Sequence, residues 1–142
     1  MIGYFVEAGD PEVSKIFQPY RSSFRNIVQR HIAPNNYGDD LQLILIDYHL
    51  EGKFLPFPKQ EYRVHSYRRN ERSIIVIVGV RRDFGGMSST ENKKFIVDST
   101  FRAVELARDK MRKLSYSKVD FVRLLSDLHV CAQEYFDFDV TG

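Results

Sequence analysis

The sequence has few features that point directly to a compartment, a membrane or a catalytic chemistry. It contains one cysteine, Cys131, so no disulfide can form within the chain, which fits a reducing compartment. No apolar run is long enough to span a membrane, and residues 1–7 lack the basic leader and apolar stretch of a signal peptide. We therefore expect a soluble cytoplasmic protein.

Neither charge sign is in large excess. The chain has 21 basic and 19 acidic residues, a net charge of +2. This balance argues against a protein that binds polyanions with its whole surface, and equally against an acidic mimic of nucleic acid. There is also no internal repeat, low-complexity tract or linker. We expect residues 1–142 to form a single globular domain with a real hydrophobic core.

Apolar, β-branched residues are plentiful, above all in the run from Ser73 to Val80. This run shows almost no polar alternation, which is typical of a central strand covered on both faces. Further strands are predicted at 2–8, 41–50 and 61–69, and helices at 11–32, about 88–114 and about 117–136. The predicted fold is α+β in the order β-α-β-β-β-α-α, a four-stranded, mostly antiparallel sheet packed with three helices.

Several features of this arrangement stay open. Pro19 lies inside a continuous helical pattern, which predicts one kinked helix or two short helices that meet there. The last three strands are predicted to form an antiparallel meander, with Asp47-Tyr48-His49 approaching solvent. The position of the first strand in the sheet, the number of faces that the helices cover, and the choice between monomer and homodimer are not decided by the sequence.

No complete catalytic or metal-binding set is found by spacing. His129 and Cys131 are two residues apart on a predicted helix, so they point in different directions, and Cys131 is expected to pack in a helical interface. Asp47 and His49 share a strand face but lack a third metal ligand at a suggestive spacing. No catalytic residue, metal or cofactor is therefore predicted.

Two surfaces are candidates for binding a partner. The first is a basic cluster on the third strand and its turn, where a solvated strand edge is the alternative interpretation. Arginine and tyrosine are common in protein interfaces and also suit phosphate contact and base stacking. The second is a proline-stiffened loop with large apolar residues. The predicted binding residues are Lys53, Phe54 and Phe57 in the loop and Arg63, His65, Tyr67, Arg68, Arg69 and Arg72 in the cluster.

Three short segments resemble those of a known class of proteins. They are Tyr37-Gly38-Asp39-Asp40-Leu41, Tyr48-His49-Leu50-Glu51-Gly52, and Val78-Gly79-Val80 leading to Phe84-Gly85. In these the chain resembles the small bacterial immunity proteins of polymorphic-toxin and contact-dependent-inhibition systems. The resemblance implies a non-enzymatic cytoplasmic protein that neutralises a cognate toxin by binding it. With a pI of about 8.7, such a protein would suit an acidic or mixed-charge toxin, or would bind away from the toxin's active site.

Three hypotheses follow. The first is an immunity-type binding protein without catalysis of its own. The alternative is a nucleic-acid-binding module that uses the Arg63–Arg72 hairpin, although the near-neutral net charge counts against it. The third is an enzyme whose site is assembled from distant residues such as Asp47, His49, His65 and Arg81.

Overall fold

The computed structural model describes residues 2–6, 11–50, 62–80, 86–114 and 118–137. The α+β class and the predicted order of elements are confirmed. The strands and helices are β1 (Ile2–Val6), α1 (Pro11–Ile32), β2 (Leu43–Leu50), β3 (Tyr62–Arg68), β4 (Ser73–Val80), α2 (Ser89–Arg112) and α3 (Phe121–Asp137).

The sheet is mixed, and the prediction of a mostly antiparallel sheet is wrong. The spatial order is β1-β2-β4-β3, in which β1 and β4 both pair in parallel with β2 and only β3 is antiparallel to its neighbour, β4. The predicted meander would have placed β3 directly beside β2.

Two physical reasons account for the difference. The helix α1 lies between β1 and β2 in the chain, and a helical crossover returns the chain in the same direction, so the two strands pair in parallel. The strand β4 is the most apolar of the four, and the interior position between β2 and β3 buries nearly all of its residues. The prediction that Ser73–Val80 forms a central strand is therefore confirmed.

The three helices lie on one side of the sheet. Phe17 of α1 packs edge-on against Tyr48 of β2, with ring centroids 4.6 Å apart. The Tyr48 hydroxyl lies 2.7 Å from Ser99 Oγ of α2. Burial raises the pKa of Tyr48 well above its usual value, and Tyr48 belongs to the core, so the prediction that Asp47-Tyr48-His49 approaches solvent is wrong for this residue.

The ends of the helices follow the local sequence. The helix α1 is one continuous helix with Pro19 inside it, which decides between the two alternatives. The sequence Ser88-Ser89-Thr90-Glu91 predicts a capping box, and Ser88 and Glu91 form it at the start of α2. At the start of α3, Asp120 Oδ1 accepts the Arg123 N–H. The apolar spacing of this helix predicts Val122 among its core contacts, but Val122 is 78% exposed. Among the described helices, none is both long and apolar enough to cross a membrane.

Candidate protein-binding surface

The face of the sheet opposite the helices carries apolar side chains. Side chains alternate along a strand, so Ile44 and Ile46 point into the helical core while Leu43 and Leu45 point away from it. On β4 the same alternation sends Ile75 to this second face, directly beside Leu45. We call Leu43, Leu45 and Ile75 the apolar patch.

The exposure of this face changes along the strands. Leu43 is 36% exposed, and Leu45 and Ile75 are half-buried. Two residues further along β4, Ile77 is only 3% exposed. The accessible part of the face is therefore the end that adjoins the turn between β3 and β4, which is also where the basic residues of the sequence lie.

A β-bulge in β3 decides which side chains border the patch. The strand pairs Val64 with Val76 but Ser66 with Ile75, so that His65 is the extra residue. Beyond the bulge, Tyr67 stands opposite the buried Ile74 and faces the helices. The alternating sequence of residues 61–69 predicts Tyr67 on the same face as Arg63, with Ser66 on the other face, and this prediction is wrong after His65. A single inserted residue exchanges the two faces of a strand.

Tyr67 consequently has a structural role. It packs against the core, and its hydroxyl donates a hydrogen bond of 2.8 Å to the Asp40 carbonyl oxygen. It remains partly exposed, and it lines one cleft together with Arg69 and Arg72.

Two arginines flank the open face from β3. Arg68 pairs with Ser73, which in turn pairs with Leu43, so Arg68 borders the apolar patch. Its side chain is 57% exposed and lies 3.6 Å from Glu71. Arg63 lies further along the strand, opposite Ile77, and is also exposed. An exposed ion pair of this kind contributes little to stability.

The turn that follows β3 holds Arg72 in an unusual conformation. The Arg72 N–H donates to the Arg69 carbonyl, and Arg72 has a φ of 51°. Positive φ disfavours side chains with a Cβ and is usually occupied by glycine or asparagine. The Arg72 carbonyl accepts the N–H groups of Gln42 and Leu43, at 2.7 and 3.2 Å. These hydrogen bonds fix the turn to the start of β2. The position is occupied by arginine although its backbone conformation favours glycine.

The charge around this turn is mixed rather than purely basic. A cleft of about 400 Å³ is lined by Tyr67, Arg69 and Arg72 together with Asp39 and Asp40. Two carboxylates beside two guanidinium groups reduce the attraction for a phosphate backbone. They are better matched to a protein surface that carries both signs of charge.

Asp47 and His49 form a local pair on β2. His49 Nε2 lies 2.9 Å from Asp47 Oδ2, and both side chains are mostly buried. The second carboxylate oxygen, Asp47 Oδ1, is buried and accepts no hydrogen bond from the residues that the structure describes. His65 stands on β3, with β4 between it and β2, so it is not brought to this pair. The described residues contain no cluster of three potential metal ligands.

The cysteine has the expected structural surroundings. Cys131 is fully buried on α3, as predicted. Burial, with a smaller contribution from Glu134, raises the pKa of the thiol to about 11. It is therefore protonated and a weak nucleophile at neutral pH. His129 is exposed, and its ring lies 4.5 Å from that of Phe101, so it does not form a pair with Cys131.

The segment Tyr37–Asp40, one of those that carry the resemblance, connects the sheet to α3. Tyr37 donates a hydrogen bond of 2.5 Å to Asp127, and Asp40 Oδ2 accepts the Lys118 N–H at 2.9 Å. Gly38 has a φ of 132°, and a Cβ there would lie 2.8 Å from the Lys118 carbonyl oxygen. Only glycine fits this close approach.

Some predicted residues lie outside the described part of the chain. These are Lys53, Phe54 and Phe57 of the second candidate surface, together with Arg81. The apolar patch, in contrast, was missed by sequence reasoning. Its signal is the apolar run Leu41–Ile46, which predicts a position inside the sheet but does not show which face of the strand stays accessible.

No protein-family model matches the chain, and no curated protein or solved structure is significantly similar to it. The argument for function therefore depends on the surface just described.

Proposed function

We propose that this chain is an immunity-type binding protein, which neutralises a cognate bacterial toxin by holding it against the open face of the sheet and has no catalytic activity of its own. The contact surface consists of the apolar patch, Leu43, Leu45 and Ile75, with the arginines of β3 and its turn at the border. The proposal joins the resemblance of the sequence to a surface whose chemistry suits a protein partner.

One observation carries the proposal: the apolar patch is accessible and is bordered by arginine. Protein interfaces typically have an apolar centre and a polar rim in which arginine is enriched. Leu43, at 36% exposure, lies in one row across the sheet with Ser73 and Arg68. Packing against the described helices does not account for these apolar residues, because those helices lie on the opposite face.

The strained turn supports the same surface. Residues held in unfavourable backbone conformations are concentrated at functional sites, where the side chain has a role that outweighs the strain. Arg72, with its φ of 51°, lies beside the patch through its hydrogen bonds to Gln42 and Leu43.

The partner's contact surface is expected to be apolar at its centre and to carry both charge signs, with acidic groups placed for Arg63 and Arg68. Nucleic acid is the competing ligand. It is less favoured, because the cleft that contains Tyr67, Arg69 and Arg72 is also lined by the acidic residues Asp39 and Asp40. Phosphate contact would also produce an affinity that falls steeply with salt.

The test is co-expression with the protein encoded immediately upstream, read as growth and as co-purification. We expect rescue of growth and a one-to-one complex. The double variant R68A/R69A should weaken that complex by at least about tenfold, or about 1.4 kcal/mol, and should unfold at the same temperature as the wild type. The matched control is R123A, which removes an exposed arginine from α3.

The outcomes separate the two functions. A complex with unchanged affinity in R68A/R69A would remove the arginines from the contact surface. Absence of toxicity and of any complex would leave the immunity role without support. Binding to a DNA or RNA oligonucleotide that weakens steeply with salt would favour the nucleic-acid alternative instead.

A further inference from the structure

A second surface lies on the helical side of the molecule. A groove of about 780 Å³ is lined by α2, by α3 and by Tyr62, the first residue of β3. Its apolar part includes Phe101 of α2 and Leu125 and Phe136 of α3. Phe136 is 47% exposed, which is unusual for a large aromatic residue at the side of an apolar groove.

The packing of α3 against α1 places Phe136 at the side of the groove. The Tyr135 ring packs against that of Phe24 of α1 at a tilt of 39°, with ring centroids 5.0 Å apart, and the Tyr135 hydroxyl donates a hydrogen bond to the Tyr20 carbonyl. The helix α3 is therefore held against α1. Its next residue, Phe136, is carried to the side that borders the groove.

The charges of α2 along this groove have a particular order. Asp98, Arg102, Glu105 and Arg108 all line it, and they read negative, positive, negative, positive along the chain. They extend over ten residues, or about 15 Å of helix. In an antiparallel copy of the same helix the order is reversed, so each charge stands opposite one of the other sign. The row is thus complementary to itself under a two-fold rotation.

We propose that a second copy of this chain occupies the groove, and that the protein forms a symmetric homodimer whose two-fold axis passes beside the exposed side of α2, level with residues 103 and 104. In such an interface each contact occurs twice. Arg102 of each copy faces Glu105 of the other, and Asp98 faces Arg108. Phe101 and Phe136 supply the apolar contact, while the charges fix the antiparallel orientation.

This inference goes beyond the proposed function and uses a different surface. Tyr62, at the groove, and Arg68, at the apolar patch, are six positions apart at opposite ends of β3, which is about 20 Å along a strand. A dimer through the groove leaves both apolar patches accessible, so failure of one proposal does not affect the other.

The same row of charges has a simpler explanation, which the experiment must separate. Asp98 and Arg102 are four residues apart and Arg102 and Glu105 are three apart, and these spacings also favour pairs within one helix. Arg108 already lies 3.1 Å from Asp109 of the same helix. If the charges act only within one helix, mixing two charge variants cannot restore the lost interaction. If they meet across the two-fold axis, mixing can restore it.

The experiment measures molar mass by sedimentation equilibrium over a range of concentrations. We expect the wild type to reach the mass of a dimer. The single variants R102E and E105R should each weaken the dimer by at least about tenfold, because each places like charges opposite one another twice. Mixed in equal amounts, the two variants should form a heterodimer, and the double variant R102E/E105R should recover the wild-type dissociation constant.

Each outcome decides the question. Recovery of the dimer on mixing supports the two-fold contact, because the reversed charge of each variant then faces a charge of the other sign. A wild type that stays monomeric at the highest concentration overturns the proposal. Single variants that dimerise as the wild type does, or that stay monomeric on mixing, also overturn it. F136A provides a second reading, with an expected weakening of the dimer and a circular dichroism spectrum like that of the wild type.

Discussion

The two faces of the sheet are built from the same kinds of residue but have different surroundings. On the helical face, Ile44, Ile46 and Ile74 are completely buried. On the opposite face, Leu43 is substantially exposed, and Leu45 and Ile75 are half-buried. The first half of β2, Leu43–Ile46, is uniformly hydrophobic, so its composition does not distinguish the two sides.

This comparison separates residues that hold the fold together from residues available for binding. Burial in the helical core accounts fully for the first set. The residues of the apolar patch contribute less to the stability of the fold, because part of their apolar surface stays in water. Large apolar residues that remain accessible beside arginines are better explained by a partner than by packing.

The largest expected difference is between adjacent positions of β2. I46A should lower the free energy of unfolding by about 2–5 kcal/mol, since it leaves a cavity in a closed core. L45A removes a side chain of equal size from the open face and should cost about 1 kcal/mol or less. Urea unfolding of both variants measures the contrast. Equal losses would show that the two faces do not differ in the way described.

The segment that connects the sheet to α3 should be almost as sensitive. G38A places a methyl group against the Lys118 carbonyl at a φ of 132° and should cost about 1–3 kcal/mol. The control is G86A, because a Cβ at Gly86 meets no atom within 4 Å. We expect G86A to change the unfolding midpoint little. A stable G38A protein would argue against the close contact between this segment and residues 118–119.

The same segment should give a pH dependence in the alkaline range. Burial, assisted by the hydrogen bond to Asp127, raises the pKa of Tyr37 from 10.0 to about 12. The native state holds this proton more tightly than the unfolded state, so the stabilisation is complete below pH 10 and is lost as the pH rises through 12. In Y37F the free energy of unfolding should fall less steeply over this window. An identical slope in both proteins would contradict the assignment.

The smallest change in stability is expected on the binding side. R72G relieves the positive φ, so the free energy of unfolding should stay the same or rise by up to about 1 kcal/mol. Partner affinity should fall, because the variant lacks the Arg72 side chain that contacts the partner. Urea unfolding and a binding titration measure the two effects. A loss of stability together with unchanged affinity would make Arg72 a structural residue.

The sequence predicted more of the fold than of the surface. Element order, the capping box of Ser88 and Glu91 and the central position of β4 depend on local patterns. Strand order does not depend on local patterns, because the parallel pairing of β2 with β4 requires that β3 lie outside both. The exchange of faces in β3 could not be predicted from the sequence either, because it also depends on how strands pair. The bulge at His65 is visible only in the pairing with Val76 and Ile75, and it moves Tyr67 from the predicted face of the sheet to the helical face, where it is partly buried.

The most direct test of the binding surface compares two exposed apolar residues. L43D introduces a charge into the apolar patch, while V122D does the same on α3, where Val122 is 78% exposed. Calorimetric titration against the protein encoded immediately upstream should give wild-type affinity for V122D and an affinity at least about tenfold lower for L43D, or about 1.4 kcal/mol. Wild-type affinity in L43D, or an equal loss in both variants, would contradict the proposed surface.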